Sequence, residues 1–466
     1  MAQVALRKVF RGNGLMSAIF QTSGTNLLVM TLTMLSSILT SRMFGVEGKG
    51  AFSAILFWPA LLTGLVGFGL PTSIIYNIKQ SATEKSAQYV RLSFLFQVPV
   101  CIIIGVVAWF GLPFWLSSFP PEVVQISRWY TIATVPVLIV INLISALSQS
   151  REKFAVYNGI RLMIPLFNVG GLFVLWGLGM LSIQLAAAIY FVTSFSVVAW
   201  AIYANRNELR LRWFKDRVDR SSAKKLFGYG SKVYGVELLG TLYTQFDKII
   251  ILALLTPRDF GLYSVVFALS RIYNAVQTAI SNVVFPKVTG LPQEQIIRTV
   301  GRAFRISLMV MMIIVIPTMF VGNYLMGLLF GSEFLEASVA FYILAVECII
   351  GGGSWILASA FNALGRPGLV MIRQLIALSV TVALFFVFTP LWGLNGIAIA
   401  LLIGSIVRMV VTVAAMKIVF KVKFTAMFYD KEDLPFLYER LNKKKKSHPR
   451  RRWRCWALTI FIQWKS

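Results

Sequence analysis

The sequence predicts an all-α membrane protein with about twelve transmembrane helices in two six-helix halves and with both termini in the cytoplasm. Hydrophobic residues make up 57% of the 466 residues and charged residues only 14%, whereas a soluble domain carries about 25% charged residues. The apolar residues also fall into blocks of about twenty, the length that crosses a hydrocarbon core of about 30 Å. A third observation is that the two halves of the chain resemble each other.

Helices are favoured over strands because a backbone in lipid must satisfy its hydrogen bonds within its own segment, and no segment alternates with period two. The predicted spans are residues 15–41, 49–75, 92–112, 129–149, 160–177, 181–204, 227–255, 260–285, 304–330, 338–363, 369–389 and 392–416. They divide the chain into an N-terminal lobe (1–204), a charged cytoplasmic linker (205–226), a C-terminal lobe (227–416) and a basic cytoplasmic tail (417–466). No cleavable signal peptide is expected, because no A-x-A-like site follows the basic N-terminus.

The distribution of Lys and Arg predicts the orientation. Of the 45 basic residues, 38 lie in the termini and in every second loop, and only Arg42, Lys49, Arg128 and Arg258 lie in the opposite loops. Basic loops stay in the cytoplasm, so the first set is predicted to be cytoplasmic. The net charge of +27 is therefore a topology signal with some attraction to anionic lipid headgroups, and no nucleic-acid partner is expected.

The internal repeat appears as three aligned pairs of segments. At shifts of 211 and 214 residues they are 41–57 with 252–268, 145–161 with 359–375, and 178–190 with 392–404. Gly50 falls on Gly261 in the first pair. Because each half has an even number of helices, the halves have the same orientation, an arrangement typical of transporters with a site between the lobes.

Matching polar stripes run along the first and seventh spans. Their residues are Thr22, Asn26, Thr33, Ser37 and Thr40, and Tyr234, Glu237, Thr241, Thr244 and Lys248. The stripes either line a wet central cavity or pack helices together through small polar side chains. Their correspondence across the repeat favours the cavity.

Six charged residues fall within predicted spans, all in the C-terminal lobe: Glu237, Asp247, Lys248, Arg271, Glu347 and Arg408. Charges at membrane depth are costly and are candidates for function. Their sum is zero, so buried ion pairs are the alternative, and Asp247 with Arg271 is the predicted pair. Arg271 shares a helix face with Asn274, Thr278 and Ser281.

Glycine and proline cluster in the second span (Pro59, Gly64, Gly67, Gly69, Pro71) and in the tenth span (Gly351–Gly353). Such residues permit either close packing or bending. The single histidine lies in the tail, and no phosphate loop, nucleophile–base pair or metal cluster is found. We therefore expect no cofactor and no enzymatic activity, and we expect the basic run 442–456 to face the inner leaflet.

The segment 41–76, SRMFGVEGKGAFSAILFWPALLTGLVGFGLPTSIIY, resembles the N-terminal half of Wzx-type polysaccharide flippases, members of the MOP exporter superfamily. The segment 245–270, QFDKIIILALLTPRDFGLYSVVFALS, resembles the same family from the seventh into the eighth helix. This resemblance, over about 15–417, implies a flippase of the bacterial cytoplasmic membrane. It implies undecaprenyl-pyrophosphate-linked sugar units as substrate, two six-helix bundles, and polymerase or assembly proteins as partners.

The resemblance also implies cations that hold the pyrophosphate. Lys248, Arg271 and Arg408 match that role, with Asn26, Thr33, Ser37, Thr241, Thr244 and Asn274 as polar contacts. Asp247, Glu237 and Glu347 are candidates for ion coupling or gating. Arg91, Arg151, Arg161 and Arg373 are placed at the cytoplasmic mouth, either as topology signals or as first contacts for pyrophosphate. The N-terminal spans contain no charge, so a symmetric site is not expected.

Three other functions stay open. A MATE-type multidrug exporter has the same two-lobed plan but generally uses acidic residues in its N-terminal lobe, where these spans have none. A major-facilitator permease usually carries Gly-x-x-x-Asp-x-x-Gly-Arg after its second helix, which 76–91 does not match. A membrane scaffold for polysaccharide assembly is disfavoured by the polar stripes.

Overall fold

The protein is a bundle of long helices in the computed structural model, which describes residues 15–80, 86–210, 220–274, 277, 280, 288, 291–422 and 427–429. Every regular element among them is helical, as predicted. Eight of the described helices are long and apolar enough to cross a membrane. Thr278, Ser281, the middle of the predicted linker and the basic run 442–456 lie outside the described residues.

The helices follow each other with short connections. They are α1 (Leu15–Leu65), α2 (Leu70–Gln80), α3 (Ser86–Trp115), α4 (Pro121–Ser150), α5 (Phe154–Gly177), α6 (Ile183–Ala204), α7 (Arg206–Arg210), α8 (Arg220–Leu254), α9 (Pro257–Arg271), α10 (Gln293–Leu329), a 3₁₀ turn (Ser332–Ala337), α11 (Ser338–Ala363) and α12 (Pro367–Phe420). Helix α8 begins inside the predicted linker, and α7 occupies part of its first residues. The linker prediction is thus too long at both ends.

Two of these helices are broken where the sequence predicts a boundary between spans. Helix α1 contains non-helical Gly45 (φ 65, ψ −169), and α12 contains non-helical Gly393 (φ 53, ψ −129). These backbone angles are accessible mainly to glycine. Gly179, which aligns with Gly393 at the shift of 214, also has a positive φ of 70. The repeat predicted between 178–190 and 392–404 is therefore present in the backbone as well.

The second predicted span is interrupted near its centre. Helix α1 ends at Leu65 and α2 begins at Leu70, and between them Phe68 and Gly69 have φ values of 48 and 64. A Cβ at Gly69 would overlap the carbonyl oxygen of Gly230 in α8. The predicted bend is real, and its glycine also lets the two lobes approach at the level of the backbone.

The repeat-related glycines Gly50 and Gly261 form a second backbone contact between the lobes. A Cβ at Gly50 would overlap the carbonyl oxygen of Pro257, and a Cβ at Gly261 would overlap that of Val46. Each would also lie 3.0–3.1 Å from the other glycine's backbone nitrogen. The helices cross there with equivalent residues facing each other, as expected close to a pseudo-twofold axis.

Polar contacts join the lobes along the same surface. Arg42 of α1 donates to the backbone oxygens of Gly327 and Leu329 at the end of α10, at 3.3 and 3.0 Å. A cation there also complements the negative end of the helix dipole. Tyr234 Oη donates to Leu65 O at 2.7 Å, and Ser73 Oγ donates to Leu226 O at 2.6 Å. The first two predicted spans thus form most of the described interface with the C-terminal lobe.

Replacing either crossing glycine should separate the lobes. In Gly50→Ala and Gly261→Ala the new methyl group meets a rigid backbone carbonyl, and overpacking of this kind costs about 1–3 kcal/mol. Both variants should lower the melting temperature of the detergent-solubilised protein. The matched control is Gly235→Ala in α8, where a Cβ meets no atom within 4 Å. Equal melting temperatures in all three variants would contradict the crossing.

Candidate functional site

The charges within the membrane-spanning helices form two groups, and the predicted Asp247–Arg271 pair is wrong. Asp247 Oδ1 lies 3.7 Å from Lys248 Nζ, whereas Arg271 Nη2 lies 3.2 Å from Glu347 Oε2. Equal distance from the turn near Arg258 placed Asp247 and Arg271 at one depth. Pairing also requires the helix faces to meet, and α9 turns Arg271 toward α11.

The first group surrounds Asp247, which is 4% exposed. Tyr263 Oη donates a hydrogen bond to Asp247 Oδ2. Lys248 Nζ donates to Thr244 O at 3.2 Å and to Gln245 Oε1 at 3.0 Å, and lies 4.4 Å from the ring centroid of Phe267. Lys248 is therefore engaged within its own helix and with one aromatic ring. This group forms a nearly neutral polar core between α8 and α9.

The second group, here called the arginine cluster, consists of Arg271, Arg373, Arg408 and Glu347. Glu347 is 4% exposed and accepts a hydrogen bond from Ser405 Oγ at 2.6 Å. Its Oε1 lies 3.7 Å from Arg408 Nη2. Arg408 also donates to the Tyr243 hydroxyl. Three guanidinium groups thus surround one carboxylate within the described part of the C-terminal lobe.

Arg373 belongs to this cluster, so its predicted place at the cytoplasmic mouth is wrong. Its side chain is 1% exposed. Nη1 donates to Ser354 O and Ser354 Oγ, both at 2.9 Å, and to Thr412 Oγ1 at 3.1 Å. All of these acceptors are neutral. Arg373 therefore adds a positive charge that no carboxylate offsets, and the seven buried charges sum to +1 instead of zero.

The glycines of α11 make room for the cluster. A Cβ at Gly351 would lie 2.7 Å from Arg408 Nη2 and 2.9 Å from Glu347 Oε1. A Cβ at Gly352 would overlap the side-chain amide of Gln277, whose Nε2 donates to Cys348 O at 2.8 Å. Helix α11 runs unbroken from Ser338 to Ala363. Of the two roles open to these glycines, the structure supports close packing.

A cavity of about 170 Å³ adjoins the arginine cluster. Its walls include the predicted site residues Arg271, Asn274, Glu347 and Arg408, together with Gln277 and Trp355. The Nε atoms of Arg271 and Arg408 are buried, and neither donates to an acceptor in the described residues. Two guanidinium groups with spare N–H donors match an anionic oxygen ligand, because Arg binds carboxylate and phosphate through paired hydrogen bonds.

A second cavity, of about 360 Å³, lies between the lobes. Predicted residues Glu237, Thr241 and Thr244 line it from α8, and Thr63 and Asn142 line it from the N-terminal lobe. Glu237 Oε1 accepts a hydrogen bond from Thr72 Oγ1 at 2.6 Å. This cavity carries hydroxyls, an amide and one carboxyl, groups that suit the hydroxyls of a sugar.

The polar stripe of the first span does not line either cavity. Thr33 is exposed and donates to Val29 O at 2.8 Å, Ser37 is buried, and the Asn26 side-chain oxygen is buried without a partner in the described residues. Lys49, predicted in an outer loop, is 7% exposed and donates to Thr40 Oγ1 at 2.7 Å. The N-terminal lobe thus contains a buried charge, contrary to prediction, although it lies outside both cavity walls.

The site also contains residues that sequence reasoning missed. Tyr243, Gln277, Asn142 and Thr63 contact the cluster or line a cavity. Tyr243 and Thr63 belong to no single-face polar stripe, and tyrosine and threonine are common in membrane helices. The one available signal was Gln277, which stands three residues after Asn274 and so shares its helix face.

The chain belongs to the family described as polysaccharide biosynthesis protein, which matches residues 34–339. It is 28% identical over 238 residues to the probable low-salt glycan biosynthesis flippase Agl15 of Haloferax volcanii, covering 50% of this chain and 48% of that protein. It is 26% identical over 208 residues to the probable flippase AglR of the same organism, covering 42% and 43%. The match spans about half the length of these relatives.

Solved structures show the same fold. The lipid II flippase MurJ in an inward closed conformation superposes with a TM-score of 0.70 at 12% identity, covering 91% of this chain and 92% of that one. An inward-facing multidrug resistance MATE transporter of the MOP superfamily gives a TM-score of 0.66 at 14% identity, covering 85% and 95%. The chain is therefore a multi-pass membrane protein with the MOP-superfamily fold.

The Asp247–Lys248 pair can be tested by a double-mutant cycle. Lys248→Met removes the cation nearest to a buried carboxylate, and breaking a buried pair costs about 3–5 kcal/mol, less where one partner reaches water. The melting temperature should fall in Lys248→Met and recover in Asp247→Asn/Lys248→Met. Lys232→Met, at an exposed position of the same helix, should change little. A double variant as unstable as the single one would show that the pair is not a unit.

Proposed function

We propose that this protein moves lipid-linked oligosaccharides across a membrane by alternating access, with the phosphate of the substrate bound at Arg271 and Arg408. The observation that carries the proposal is the cavity beside the arginine cluster, where both residues keep buried Nε–H groups without acceptors. The family and its relatives support a flippase in polysaccharide biosynthesis and a transporter without catalysis. The binding roles of individual residues are part of this proposal.

The physical problem of such a protein is the polar headgroup. Phosphates and sugar hydroxyls cannot enter hydrocarbon without partners, because each lost hydrogen bond to water costs several kcal/mol. The arginine cluster offers charged donors for phosphate, and the interlobe cavity offers Thr241, Thr244 and Glu237 for hydroxyls. The lipid tail needs no site of its own, because it can stay in the bilayer.

The finer features of the proposal go beyond the family. We place twelve transmembrane helices in the chain, by dividing α1 and α12 at their glycine breaks, with both termini in the cytoplasm. We propose undecaprenyl pyrophosphate as the carrier and a bacterial cytoplasmic membrane as the location, although the curated relatives are archaeal. Polymerase or assembly proteins are proposed partners.

The remaining predicted residues have subsidiary roles in the proposal. Lys248 adjoins Arg271 through the ring of Phe267, which both cations contact at 4.4–4.5 Å. We assign Asp247, Glu237 and Glu347 to ion coupling or gating. Asn26, Thr33 and Ser37 remain proposed contacts for another conformation of the lobes, because neither cavity reaches them in this one.

Loss of the arginines should block transport. In cells without the gene, lipid-linked oligosaccharide should accumulate on the cytoplasmic side and surface polymer should disappear, and the wild-type gene should restore both. Arg271→Ala and Arg408→Ala should restore surface polymer at least about tenfold less well, since each charge-assisted hydrogen bond contributes about 1.5–3 kcal/mol. The readouts are extracted lipid-linked sugars and surface polymer.

The matched control is Arg258→Ala. Arg258 also pairs with a carboxylate, Glu336, at 2.8 Å, but at an exposed outer position. This variant should complement fully, with all variants checked for equal amounts in the membrane. Unchanged lipid-linked sugars and surface polymer on deletion, in a strain without a second flippase, would overturn the proposed function.

The orientation is tested by cysteine labelling in a background without native cysteines. Ser117→Cys, between α3 and α4, should react with a membrane-impermeant maleimide added to intact cells. Glu152→Cys, between α4 and α5, should react only after the membrane is opened. The reverse pattern would invert the proposed topology.

A further inference from the structure

Glu347 is the one carboxylate in the arginine cluster, and both of its oxygens are engaged. Oε2 lies 3.2 Å from Arg271 Nη2, and Oε1 lies 3.7 Å from Arg408 Nη2 and accepts from Ser405 Oγ at 2.6 Å. The Cys348 thiol, on the same helix, is 3.7 Å from Oε2. Glu347 also lines the cavity beside the cluster. It therefore bridges the same two guanidinium groups that the proposed function gives to the substrate.

The bridge is geometrically loose. A strong Arg–carboxylate pair has two parallel N–H···O contacts of about 2.7–2.9 Å. Here each guanidinium contributes one Nη atom at a longer distance, and the Nε donors of both stay unused. Arginines aligned on a phosphate could use Nε and Nη together. A phosphate can thus make better hydrogen bonds to these arginines than Glu347 does.

The charge of the surroundings favours an added anion. Arg373 is linked to Arg408 through Thr412, which accepts from Arg373 and donates to Arg408 O at 2.6 Å. Its charge has only neutral partners and stays in place whether or not Glu347 moves. With Glu347 as its one carboxylate, the cluster carries +2. A pyrophosphate diester carries about two negative charges at neutral pH, so it would balance the cluster.

We propose that Glu347 is a built-in competitor of the substrate phosphate for Arg271 and Arg408. When the substrate binds, its phosphate oxygens replace the carboxylate on the two guanidinium groups. When the lobes rearrange, Glu347 returns to them and displaces the phosphate toward the opposite side. The carboxylate thereby weakens binding and speeds release, which transport requires because a tightly held anion would not leave. This inference rests on the proposed function and adds a residue that sets its affinity.

The test compares binding and turnover in the purified full-length protein. The binding probe is a water-soluble diester of pyrophosphate with a short prenyl chain and a sugar, measured by titration calorimetry. Turnover is measured in proteoliposomes with a fluorescent prenyl-pyrophosphoryl oligosaccharide. In Glu347→Gln the competitor is removed, so the probe should bind about tenfold to a hundredfold more tightly. Turnover should fall at least about tenfold because release slows.

A second variant covers the risk that Glu347→Gln does not fold, since it leaves buried arginines without a counter-charge. Ser405→Ala keeps that charge and removes the donor that holds Oε1, so it should shift binding and turnover in the same directions by a smaller factor. Glu336→Gln, which removes the carboxylate of the exposed Arg258 pair, should leave both quantities at the wild-type value. Melting temperatures identify variants that are misfolded.

The outcomes separate this inference from the proposed function. If wild type binds the probe, Arg271→Ala loses it, and folded Glu347→Gln and Ser405→Ala bind no more tightly than wild type, the competitor role is wrong and the flippase proposal stands. If wild type neither binds the probe nor moves the labelled lipid, both are wrong. Tighter binding together with slower turnover supports the competitor role, because a purely structural carboxylate would weaken both.

Discussion

The structure depends on the need to compensate charge that is buried within membrane-spanning helices. Arg271, Arg373 and Arg408 are held in the C-terminal lobe beside a single carboxylate, Glu347. Leaving a guanidinium in an apolar region without acceptors is costly, so hydroxyls and backbone oxygens from three helices converge on the group. The glycines of α11 follow from the same requirement, because a side chain at Gly351 or Gly352 would displace the polar groups that satisfy the charges.

The scaffold could be predicted from the sequence largely because its causes are local. The length of an apolar block determines whether a helix can span, and the glycine breaks at Gly45 and Gly393 separate blocks that the sequence had already divided. The alignment of Gly50 with Gly261 also needed no structure, and these residues meet at the helix crossing. What the alignment did not indicate is that they touch, because contact across a pseudo-symmetry axis is a property of both lobes together.

The site was predicted only in part because pairing depends on helix rotation. Counting residues from a turn gives the depth of Asp247 and Arg271 but not the direction in which either side chain points. Arg373 was misplaced for a related reason. It lies six residues after the start of α12 at Pro367, near enough to the predicted cytoplasmic edge to count as a topology signal. Its long side chain is instead directed inward to Ser354 and Thr412.

The two lobes share a backbone plan but differ in chemistry, and this difference bears on how such a transporter could work. The repeat places equivalent glycines at the crossing, so each lobe can pivot against the other in the same way. The cations that face a cavity, however, are confined to the C-terminal lobe, whereas buried Lys49 of the N-terminal lobe is bonded to Thr40 away from both cavities. A phosphate held by one lobe moves with that lobe, and the neutral hydroxyls of the other lobe make weaker contacts that are easily exchanged. Symmetric hinges with an asymmetric anion site therefore let the lobes move past each other without breaking the strongest contacts to the substrate, and the release of those contacts requires a group within the C-terminal lobe itself, where Glu347 lies.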